Sequence, residues 1–460
     1  MTGVAERVSA LAAAVWGTPM VVLLVGGGAA LAVYSRLAPY RYFGHAAALV
    51  TGRVDTSPAP GDLSHFRALS AALSGTLGLG NIAGVAVAIQ FGGPGAVLWM
   101  WVTALVGVAT KFFTCTLAVM YRGEDSLGRI QGGPMYVIRE GLGPRWHFLA
   151  VWFCVAGLCG TLPLFQANQV TQVMREVVAA PAGWPHGAGF DVAFGAVLAV
   201  LVAAVVFGGV RRIGAVAAWL VPGMVGVYLA GVAVVLWHHA AAVPGALGLI
   251  VTDAFTGHAA AGGVLGVVIM TGVRRGAFSN EAGIGTEAMA HGAARTREPV
   301  REGLVAMLGP VIDTLVVCTA TALAIVASGV WRDAGAGGVS LTVRAFETAM
   351  PGFGGYLLAG IVAVFGLSTL FTFWYYGAKC LGYLAGAHRE GAFRYVYCAL
   401  VVVGAAASLE VVIGIIDTFY ALMAIPTMVS TLVLAPRVMR AARVYFAGLR
   451  HARGAGGAAR

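Results

Sequence analysis

The chain has 460 residues, of which 59% are hydrophobic and only 10% are charged. Soluble globular chains carry roughly 25% charged residues. A chain this poor in charge cannot cover a surface that faces water, so most of its surface must face lipid. The net charge of +10 would suggest nucleic-acid binding in a soluble protein. Here the arginines lie in short segments between long apolar runs, where they set membrane orientation, and we expect no nucleic-acid partner.

Eleven apolar runs are long enough to cross a bilayer, which requires about 20 residues each. They cover residues 12–34, 69–91, 95–121, 147–175, 190–208, 213–238, 262–290, 301–329, 355–378, 395–414 and 416–436. The sequence therefore predicts an all-α polytopic membrane protein with 11 transmembrane helices. An odd number of crossings places the two termini on opposite sides of the membrane.

The distribution of lysine and arginine indicates which side is cytoplasmic. With the N-terminus outside, 22 of the 29 basic residues fall in cytoplasmic segments and four fall outside, while Lys111, Arg274 and Arg275 lie at membrane depth. Cytoplasmic loops are enriched in these residues, so we predict that the C-terminus is inside. Lysine is almost absent and alanine, glycine, valine and arginine dominate, which is typical of a GC-rich bacterial genome and predicts a bacterial cytoplasmic membrane protein.

The six cysteines lie singly in or beside apolar segments, where a free cysteine behaves as a small hydrophobe. Their spacing does not match paired metal ligands. We expect no disulfide framework, no metal site built from cysteines and no organic cofactor.

Two of the apolar runs contain residues that are poor helix interior. The second run holds three glycines within Gly75–Gly80, followed by Asn81, and the seventh holds two arginines, a glutamate and three glycines within Thr271–Gly283. Unwound backbone in a bilayer is tolerated only beside protein or a watery cavity. Half-helix N-termini present N–H groups to a carboxylate, and unwound carbonyls coordinate a cation. These runs therefore predict a site for a zwitterionic amino acid and Na⁺.

The two interrupted runs also resemble each other, because sliding one onto the other pairs Asn81 with Asn280 and Gly84 with Gly283. Each is the first of a block of five spans, and five is odd, so the blocks would enter the membrane from opposite sides, as in the inverted repeats of secondary transporters. Residues 1–60 would form an extra helix and a cytoplasmic loop, 61–240 and 241–437 the two repeats, and 438–460 a basic tail. The alternative is that Gly80-x-x-x-Gly84 is only a tight helix-packing motif, but two corresponding interrupted helices favour a binding site.

At these residues the sequence resembles the alanine or glycine:cation symporter family, part of the superfamily that shares the fold of the leucine transporter LeuT. The matching stretches are 74–86, 92–96, 132–136, 166–168, 275–283, 307–309, 312–315, 368–369 and 375–377. The resemblance implies an extra first helix and two inverted five-helix repeats, with the first helix of each repeat unwound at mid-membrane. It also implies symport of Na⁺ with a small neutral amino acid such as alanine or glycine, by alternating access.

The resemblance further implies roles for particular residues. The substrate would meet unwound backbone and polar groups of the first interrupted helix, residues of the second, the amide of the fourth span and an aromatic residue of the ninth. In that order, the residues are Thr76, Gly78, Gly80, Asn81, Thr271, Gly276, Phe278, Gln166 and Phe373. Sodium would be bound by oxygen atoms alone, which suits a hard cation; the residues that supply them are Ser74, Leu77, Phe365, Ser368 and Thr369.

The sequence departs from the family pattern at four places. Thr114 stands where a glutamate is usual, Ala378 stands where another acid is common, and Phe373 stands in place of a tryptophan. Thr286-Glu287-Ala288 replaces a Ser-Ala-Pro run. We expect Phe373 to affect the shape of the substrate site and the acid changes to affect gating or coupling.

Each of these roles has a plainer alternative. Ser368 and Thr369 often bond their own helix carbonyls in such positions, and Gln166 could instead hold helices together. Arg274, Arg275 and Glu281 are costly at membrane depth and are gating or coupling candidates; an arginine pairs with Glu281 in one reading and snorkels to the cytoplasmic face in another. Lys111 and Asp313 are interpreted as structural partners.

Three alternative functions were compared with sodium-coupled symport. A transporter of the same fold driven by protons, or specific for another small zwitterion, remains open. The chain contains no HExxH motif, no nucleophile elbow and no paired membrane aspartates, which disfavours a membrane enzyme, and no repeated filter or ring of charges that would indicate a channel. The sequence makes no prediction of the oligomeric state.

Overall fold

The computed structural model describes residues 2–53, 59–184, 187–256, 265–332 and 337–457. This part of the chain is mainly helical and contains one short antiparallel pair of strands, β1 (Gly123–Glu124) and β2 (Ile130–Gln131). Its longer helices, in chain order, are α1 (Thr2–Val15), α2 (Thr18–Tyr34), α3 (Phe43–Val50), α4 (His65–Thr76), α5 (Gly80–Gly92), α6 (Ala96–Met120), α7 (Pro144–Ala179), α8 (Ala188–Val206), α9 (Gly209–His238), α10 (Ala240–Thr256), α11 (Leu265–Asn280), α12 (Thr286–Gly292), α13 (Pro299–Ser328), α14 (Val339–Ala349), α15 (Gly354–Ala385), α16 (Glu390–Ala406) and α17 (Leu409–His451). Shorter helical turns cover Ala38–Arg41, Pro134–Tyr136 and Val137–Leu142.

Local sequence signals account for several helix ends. The Ser64 side chain accepts a hydrogen bond from the backbone N–H of Arg67 and caps α4. Helix α13 begins with Pro299 in its first turn, where the missing N–H costs nothing, after the Glu298 side chain has accepted the N–H of Val300. It ends at Gly329, whose φ of 78° lies in the left-handed region that favours glycine.

Seven helices in the described ranges are long and apolar enough to cross a membrane, and the number rises to eight when the bent pair α4–α5 counts as one span. The three other predicted spans fall on α2, on the pair α11–α12 and on α16, which are shorter or interrupted. The chain is therefore a multi-pass helical membrane protein. The total of 11 crossings stays a prediction, as do the repeat boundaries, and residues 262–264 of the predicted seventh span lie outside the described residues.

Some element boundaries were predicted wrongly. The first span was expected from residue 12, but α1 ends at Val15 and a new helix begins at Thr18. The last two spans were divided near residue 415, whereas α16 ends at Ala406 and α17 begins at Leu409. The chain turns there because the backbone of Ala407 is extended, and the Asn168 amide donates to its carbonyl at 2.7 Å. A hydropathy pattern does not predict such a hydrogen bond from a distant side chain, so it could not locate this turn.

Helices α10 and α14 were not predicted. Helix α14 buries Val339, Thr342, Ala345 and Phe346, which recur at the three- and four-residue spacing of a helix face. Its 11 residues are too few to cross a bilayer, so a search for spans passes over it.

The two interrupted helices run in opposite directions through the centre of the molecule. Leu63, before α4, pairs with Ala294, after α12, so the first helix pair begins where the second ends. At the other end, a side chain at Gly92 of α5 would meet Thr271 of α11 at 3.0 Å. Helix α6 packs against both α11 and α13, and α17 packs along α7. Opposite directions are what the inverted-repeat plan requires.

Close packing of α6 against α13 gives a test of this arrangement. A methyl group at Gly303 would collide with the Thr116 hydroxyl and lie 2.6 Å from the Phe112 carbonyl oxygen. Overpacking of this kind costs about 1–3 kcal/mol, so Gly303→Ala should lower the unfolding temperature of the purified protein by several degrees. Gly226→Ala on α9 is the matched control, because no heavy atom lies within 4 Å of the added methyl group. Equal effects of the two substitutions would contradict the packing described here.

Candidate functional site

The first interruption lies at Leu77–Leu79, between α4 and α5, whose axes differ by 50°. The side-chain oxygen of Asn81 accepts the N–H of Gly78 at 3.1 Å and so holds the turn from within. Gly78 has no space for a side chain, because a methyl group there would collide with the Thr369 hydroxyl. The C-terminal carbonyls of α4 and the N-terminal N–H groups of α5 consequently meet at one buried place.

The second interruption lies at Glu281–Gly285, between α11 and α12. Glu281, Gly283 and Gly285 all have positive φ, and the Asn280 side chain accepts the N–H of Ala282 at 3.0 Å. The interruption is thus at the end of the polar stretch that predicted it. Positions 271–276 remain helical, so Gly276 lies in the helix before the interruption. Gly276 is instead a close-packing position, where a side chain would collide with the Thr103 hydroxyl of α6.

The two interruptions come into contact. A side chain at Gly80 would meet the Phe278 ring at 3.3 Å and the Cα of Ser279 at 3.6 Å. Asn81 is fully buried, and its amide nitrogen donates to Ser279 Oγ at 3.3 Å and to Asp313 Oδ1 at 2.6 Å. Asn81 therefore connects the first interruption to the second and to α13, with both ends of its amide engaged by protein.

Asp313 is the residue of this region that sequence reasoning undervalued. Its carboxylate accepts hydrogen bonds from Asn81, from Ser279 Oγ at 2.7 Å and from Thr314 Oγ1 at 2.8 Å. An acid followed by a threonine in a predicted span was a signal for such a site, since charged groups inside a membrane are costly. It was interpreted as a structural partner, and the structure makes it the centre of the polar network behind Asn81.

The five residues assigned to sodium lie where the end of α4 meets α15. Ser74 Oγ donates to the Ser368 carbonyl at 2.7 Å, and the Ser368 hydroxyl lies 3.5 Å from the Ser74 carbonyl. Ser368 and Thr369 also donate to the Phe365 carbonyl, at 2.8 and 3.1 Å. Leu77 directly follows the last residue of α4. The cluster is buried and supplies hydroxyl and carbonyl oxygens, the ligand type that a hard cation requires. The same contacts show that each hydroxyl has a helix carbonyl as partner.

An aromatic cluster lies against the two interruptions. Phe278 packs edge-on against Phe165, with ring centroids 5.5 Å apart, and at a tilt against Tyr420, with centroids 5.3 Å apart. The Phe373 ring lies 6.4 Å from that of Tyr420 and 6.2 Å from that of Tyr376. The structure therefore brings Phe278 and Phe373, from different helices, around the same ring of Tyr420.

Three buried oxygen atoms near this cluster have no hydrogen-bond partner among the described residues. They belong to Thr76, Gln166 and Tyr376. Thr76 ends α4, Gln166 follows Phe165 on α7, and the Tyr376 hydroxyl lies beside Gly75. An unpaired buried oxygen is costly unless a ligand or water satisfies it.

The arginines at membrane depth contact a different acid from the one expected. Arg275 forms a buried ion pair with Asp417 of α17, and Arg274 Nη1 lies 3.7 Å from the same carboxylate. Glu281 instead accepts hydrogen bonds from Thr286 and from the Tyr420 hydroxyl. The interpretation that an arginine pairs with Glu281 is therefore wrong.

The ion pair forms the floor of a cavity of about 580 Å³. Gln90, Thr271, Glu410 and Asp417 are among the residues that line this cavity, so Thr271 lies on its wall and not at the interruptions. Arg275 stands between the cavity and Phe278 of the aromatic cluster, with its guanidinium 5.4 Å from the centre of the Phe278 ring. This end of the site is closed in the structure.

The opposite end is closed by contacts between the outer ends of the interrupted helices. Glu302 of α13 bonds His65 of α4 and, at 2.6 Å, His291 of α12. Arg122 donates to the carbonyls of Gly292 and Ala294 at the end of α12. A buried carboxylate thus ties the first helix pair to the second, which would have to separate for a path to open on this side.

Thr114 and Glu287, at two positions where the sequence departs from the family pattern, are in contact. The Thr114 hydroxyl of α6 donates to Glu287 Oε1 of α12 at 3.3 Å. Lys111 interacts electrostatically with Glu287, Glu281 and Asp313. The acid expected at position 114 is therefore carried by the facing helix, close to the same lysine. Ala378 is buried on α15 without a comparable replacement that we can identify.

Two antiparallel membrane helices, each interrupted where it meets the other and closed off at both ends, define the architecture of a secondary transporter. The fold agrees with a solved structure of MhsT in complex with L-phenylalanine, with a TM-score of 0.58 over 83% of this chain and 98% of that one at 12% identity. The chain belongs to the sodium:alanine symporter family, whose model matches residues 1–455.

Similar proteins cover nearly the whole chain. The sodium/alanine symporter AgcS of Methanococcus maripaludis is 38% identical over 94% of this chain and 95% of its own length. An uncharacterized transporter of Haemophilus influenzae is 37% identical over 96% of both. The probable sodium/glutamine symporter GlnT of Bacillus subtilis is 34% identical over 83% of this chain and 78% of its own length. The members of this family are transporters.

The Asp417 pair gives a prediction about the closed end of the site. Asp417→Ala leaves Arg275 buried without its partner, which costs about 3–5 kcal/mol, and should lower the unfolding temperature clearly. Glu410→Ala removes an acid from the exposed wall of the same cavity and should change it little. Replacing both partners, as Arg275→Met with Asp417→Ala, should restore part of the loss. A single variant as stable as the wild type would show that the pair does not hold this end closed.

The exchange of acids between positions 114 and 287 predicts a rescue. Glu287→Ala leaves Lys111 with less compensating charge and should destabilise the purified protein. Adding Thr114→Glu to that variant returns a carboxylate to nearly the same place from the facing helix, and should raise the unfolding temperature again. The idea fails if the double variant is less stable than Glu287→Ala alone, with Thr114→Gln in the same background as the uncharged control.

Proposed function

We propose that this protein couples inward Na⁺ flux to the uptake of a small neutral amino acid, alanine or glycine, by alternating access. The observation that carries the proposal is the contact between two interrupted helices beside a buried cluster of hydroxyl and carbonyl oxygens. Family membership and the sodium/alanine relative support the same cargo and ion. The arginine distribution supports a bacterial cytoplasmic membrane with the N-terminus outside.

The partial charges at the helix ends support a position for the ion and for the carboxylate of the substrate. The C-terminal end of α4 carries partial negative charge and free carbonyls, while the N-terminal end of α5 carries partial positive charge and free N–H groups. A cation is therefore favoured at Ser74 and Leu77, and a substrate carboxylate at Gly80. The unpaired oxygens of Thr76 and Gln166 are acceptors that suit the substrate ammonium group.

Selectivity for a small side chain follows from the aromatic cluster. Phe278 and Phe373 are buried beside Tyr420, and large rings on both sides leave little space for a branched or aromatic substrate. The family tryptophan is replaced by the smaller Phe373, which favours a somewhat larger cargo than glycine. We therefore place alanine ahead of glycine.

Transport from one side to the other requires the two closed ends to open in turn. On the side of the cavity, Arg275 must leave Asp417 and Phe278 must move aside. On the other side, Glu302 must release His65 or His291. Binding of Na⁺ where α4 meets α15 would hold α4 against α15, so that loss of the ion frees α4 to move.

Uptake into proteoliposomes tests the proposal. Ser368→Ala with Thr369→Ala removes two hydroxyl ligands and should raise the Na⁺ concentration for half-maximal alanine uptake by about tenfold or more, since tenfold corresponds to about 1.4 kcal/mol. Asn81→Leu should abolish uptake, because it leaves Asp313 and the turn at Gly78 without their partner. Ser430→Ala with Thr431→Ala, whose hydroxyls bond carbonyls of their own helix, is the control and should behave as the wild type. Uptake that survives collapse of both the sodium and the proton gradient would refute symport.

Proton coupling, or another small zwitterion as cargo, is the second candidate. The buried carboxylates of Glu281, Glu287 and Asp313 favour it, and a relative from Bacillus subtilis is named a putative sodium/proton-dependent alanine carrier. Replacing Na⁺ by choline or Li⁺ at a fixed proton gradient separates the two. Undiminished uptake in choline would favour protons over sodium.

A further inference from the structure

A pocket of about 450 Å³ lies far from the interrupted helices, where the end of α2 and the start of α3 meet the last turns of α17. Four arginines line it, and no carboxylate does. Arg36 and Arg41 come from the segment after α2, and Arg443 and Arg450 come from α17. Residues some 400 positions apart thus place four positive charges around one concavity.

These arginines are without partners in the described part of the chain, since neither an ion pair nor a hydrogen bond joins any of their guanidinium groups to another residue. Other exposed arginines of the molecule do find acids: Arg211 pairs with Asp62, and Arg129 pairs with Asp125. Four like charges around one space repel each other. A bound anion would remove that repulsion.

Specific contacts and backbone conformations hold the walls of the pocket in place. Arg36 and Leu37 have φ values of 53° and 57°, a left-handed conformation that residues other than glycine rarely adopt. The rings of Tyr42 and Phe446 stack with centroids 4.0 Å apart and form the apolar part of the lining. His45 hydrogen-bonds the Tyr445 hydroxyl at 2.7 Å. These contacts fix α3 against α17 and keep the arginines together.

Apolar side chains next to the pocket residues in the chain face outward. Val33 and Val444 are 74% and 73% exposed, and Tyr34 and Leu37 are about half exposed. A ligand that is anionic at one end and apolar at the other would match the pocket and this surface together. Guanidinium groups bind phosphate oxygens in a fork geometry, and basic pockets beside membrane helices on the cytoplasmic side bind anionic headgroups.

We propose that this arginine pocket binds the phosphodiester headgroup of an anionic phospholipid, with the acyl chains along Val33 and Tyr34 at the end of α2. The site is separate from the transport site, and its occupant fastens α17 to the segment that follows α2. The general excess of arginine on this side does not account for it, because Arg53 and Arg440 are exposed outside the pocket and serve as an internal comparison.

Lipid binding to the purified full-length protein tests the proposal. Native mass spectrometry in a neutral detergent would follow titrations with phosphatidylglycerol, phosphatidylcholine and inorganic phosphate. We expect phosphatidylglycerol to bind at least tenfold more tightly than phosphatidylcholine. Arg36→Gln with Arg443→Gln should weaken it by about tenfold or more, given the size of the contribution of each basic residue to binding of anionic lipid. Arg53→Gln with Arg440→Gln removes the same charge outside the pocket and should have little effect.

Three results would overturn the proposal. An equal loss in both double variants would mean diffuse attraction to the membrane surface. Displacement of phosphatidylglycerol by inorganic phosphate at similar concentration would mean a site for free phosphate. Binding that appears only with a second copy of the chain would mean a subunit interface.

Arg450→Gln, at an exposed end of α17, tests the pocket without risk to folding and should weaken binding severalfold.

Discussion

Unpaired backbone groups inside a bilayer are the constraint on which the rest of the structure depends. A helix that stops in hydrocarbon leaves N–H and C=O groups that must find other partners. Here those partners are side chains from the neighbouring interruption and from surrounding helices: the Asn81 oxygen for Gly78, the Asn280 oxygen for Ala282, and the Thr427 hydroxyl for the Ile284 carbonyl at 2.9 Å. The groups that remain free are then available to a ligand, and the close packing of α6, α13 and α17 around the interruptions keeps lipid away from them.

Composition and periodicity were sufficient for the class of protein and for the location of the first interruption. The glycines and Asn81 in an otherwise apolar run are visible in sequence, and the structure breaks the helix there. The second interruption was placed too broadly. Two arginines and two glycines in this run look like poor helix interior. Asp417 on α17, however, pairs with Arg274 and Arg275. The close contact with α6 leaves no space for side chains at Gly272 and Gly276. Tertiary contacts decide such cases, and no local pattern contains them.

Sequence motifs located some residues of the candidate site and missed others. Ser74, Ser368 and Thr369 were assigned from motifs on two distant helices, and the structure brings them together; their role in binding sodium stays a prediction. Thr271 and Gly276 share the motif but lie on the cavity wall and in a helix contact. Asp417 and the cluster of His65, His291 and Glu302 were not identified, and Asp313 was interpreted only as a structural partner. The partners of these residues lie between 11 and 237 positions away in the chain. Single charged residues in apolar runs were the signal available for them.

Helix α17 contains prolines at positions 426 and 436, each of which removes a main-chain hydrogen bond and frees the carbonyl four residues earlier. Between them, the Thr427 hydroxyl donates to the Met423 carbonyl of the same helix at 3.0 Å, a type of hydrogen bond that often bends helices. Helix α17 therefore lacks main-chain hydrogen bonds at two places along its length, and bending there costs less than elsewhere in the helix. The part before Pro426 holds Asp417 and Tyr420, and the part after Pro436 holds Arg443. The segment beside the candidate site can then move without displacing the end that lines the arginine pocket.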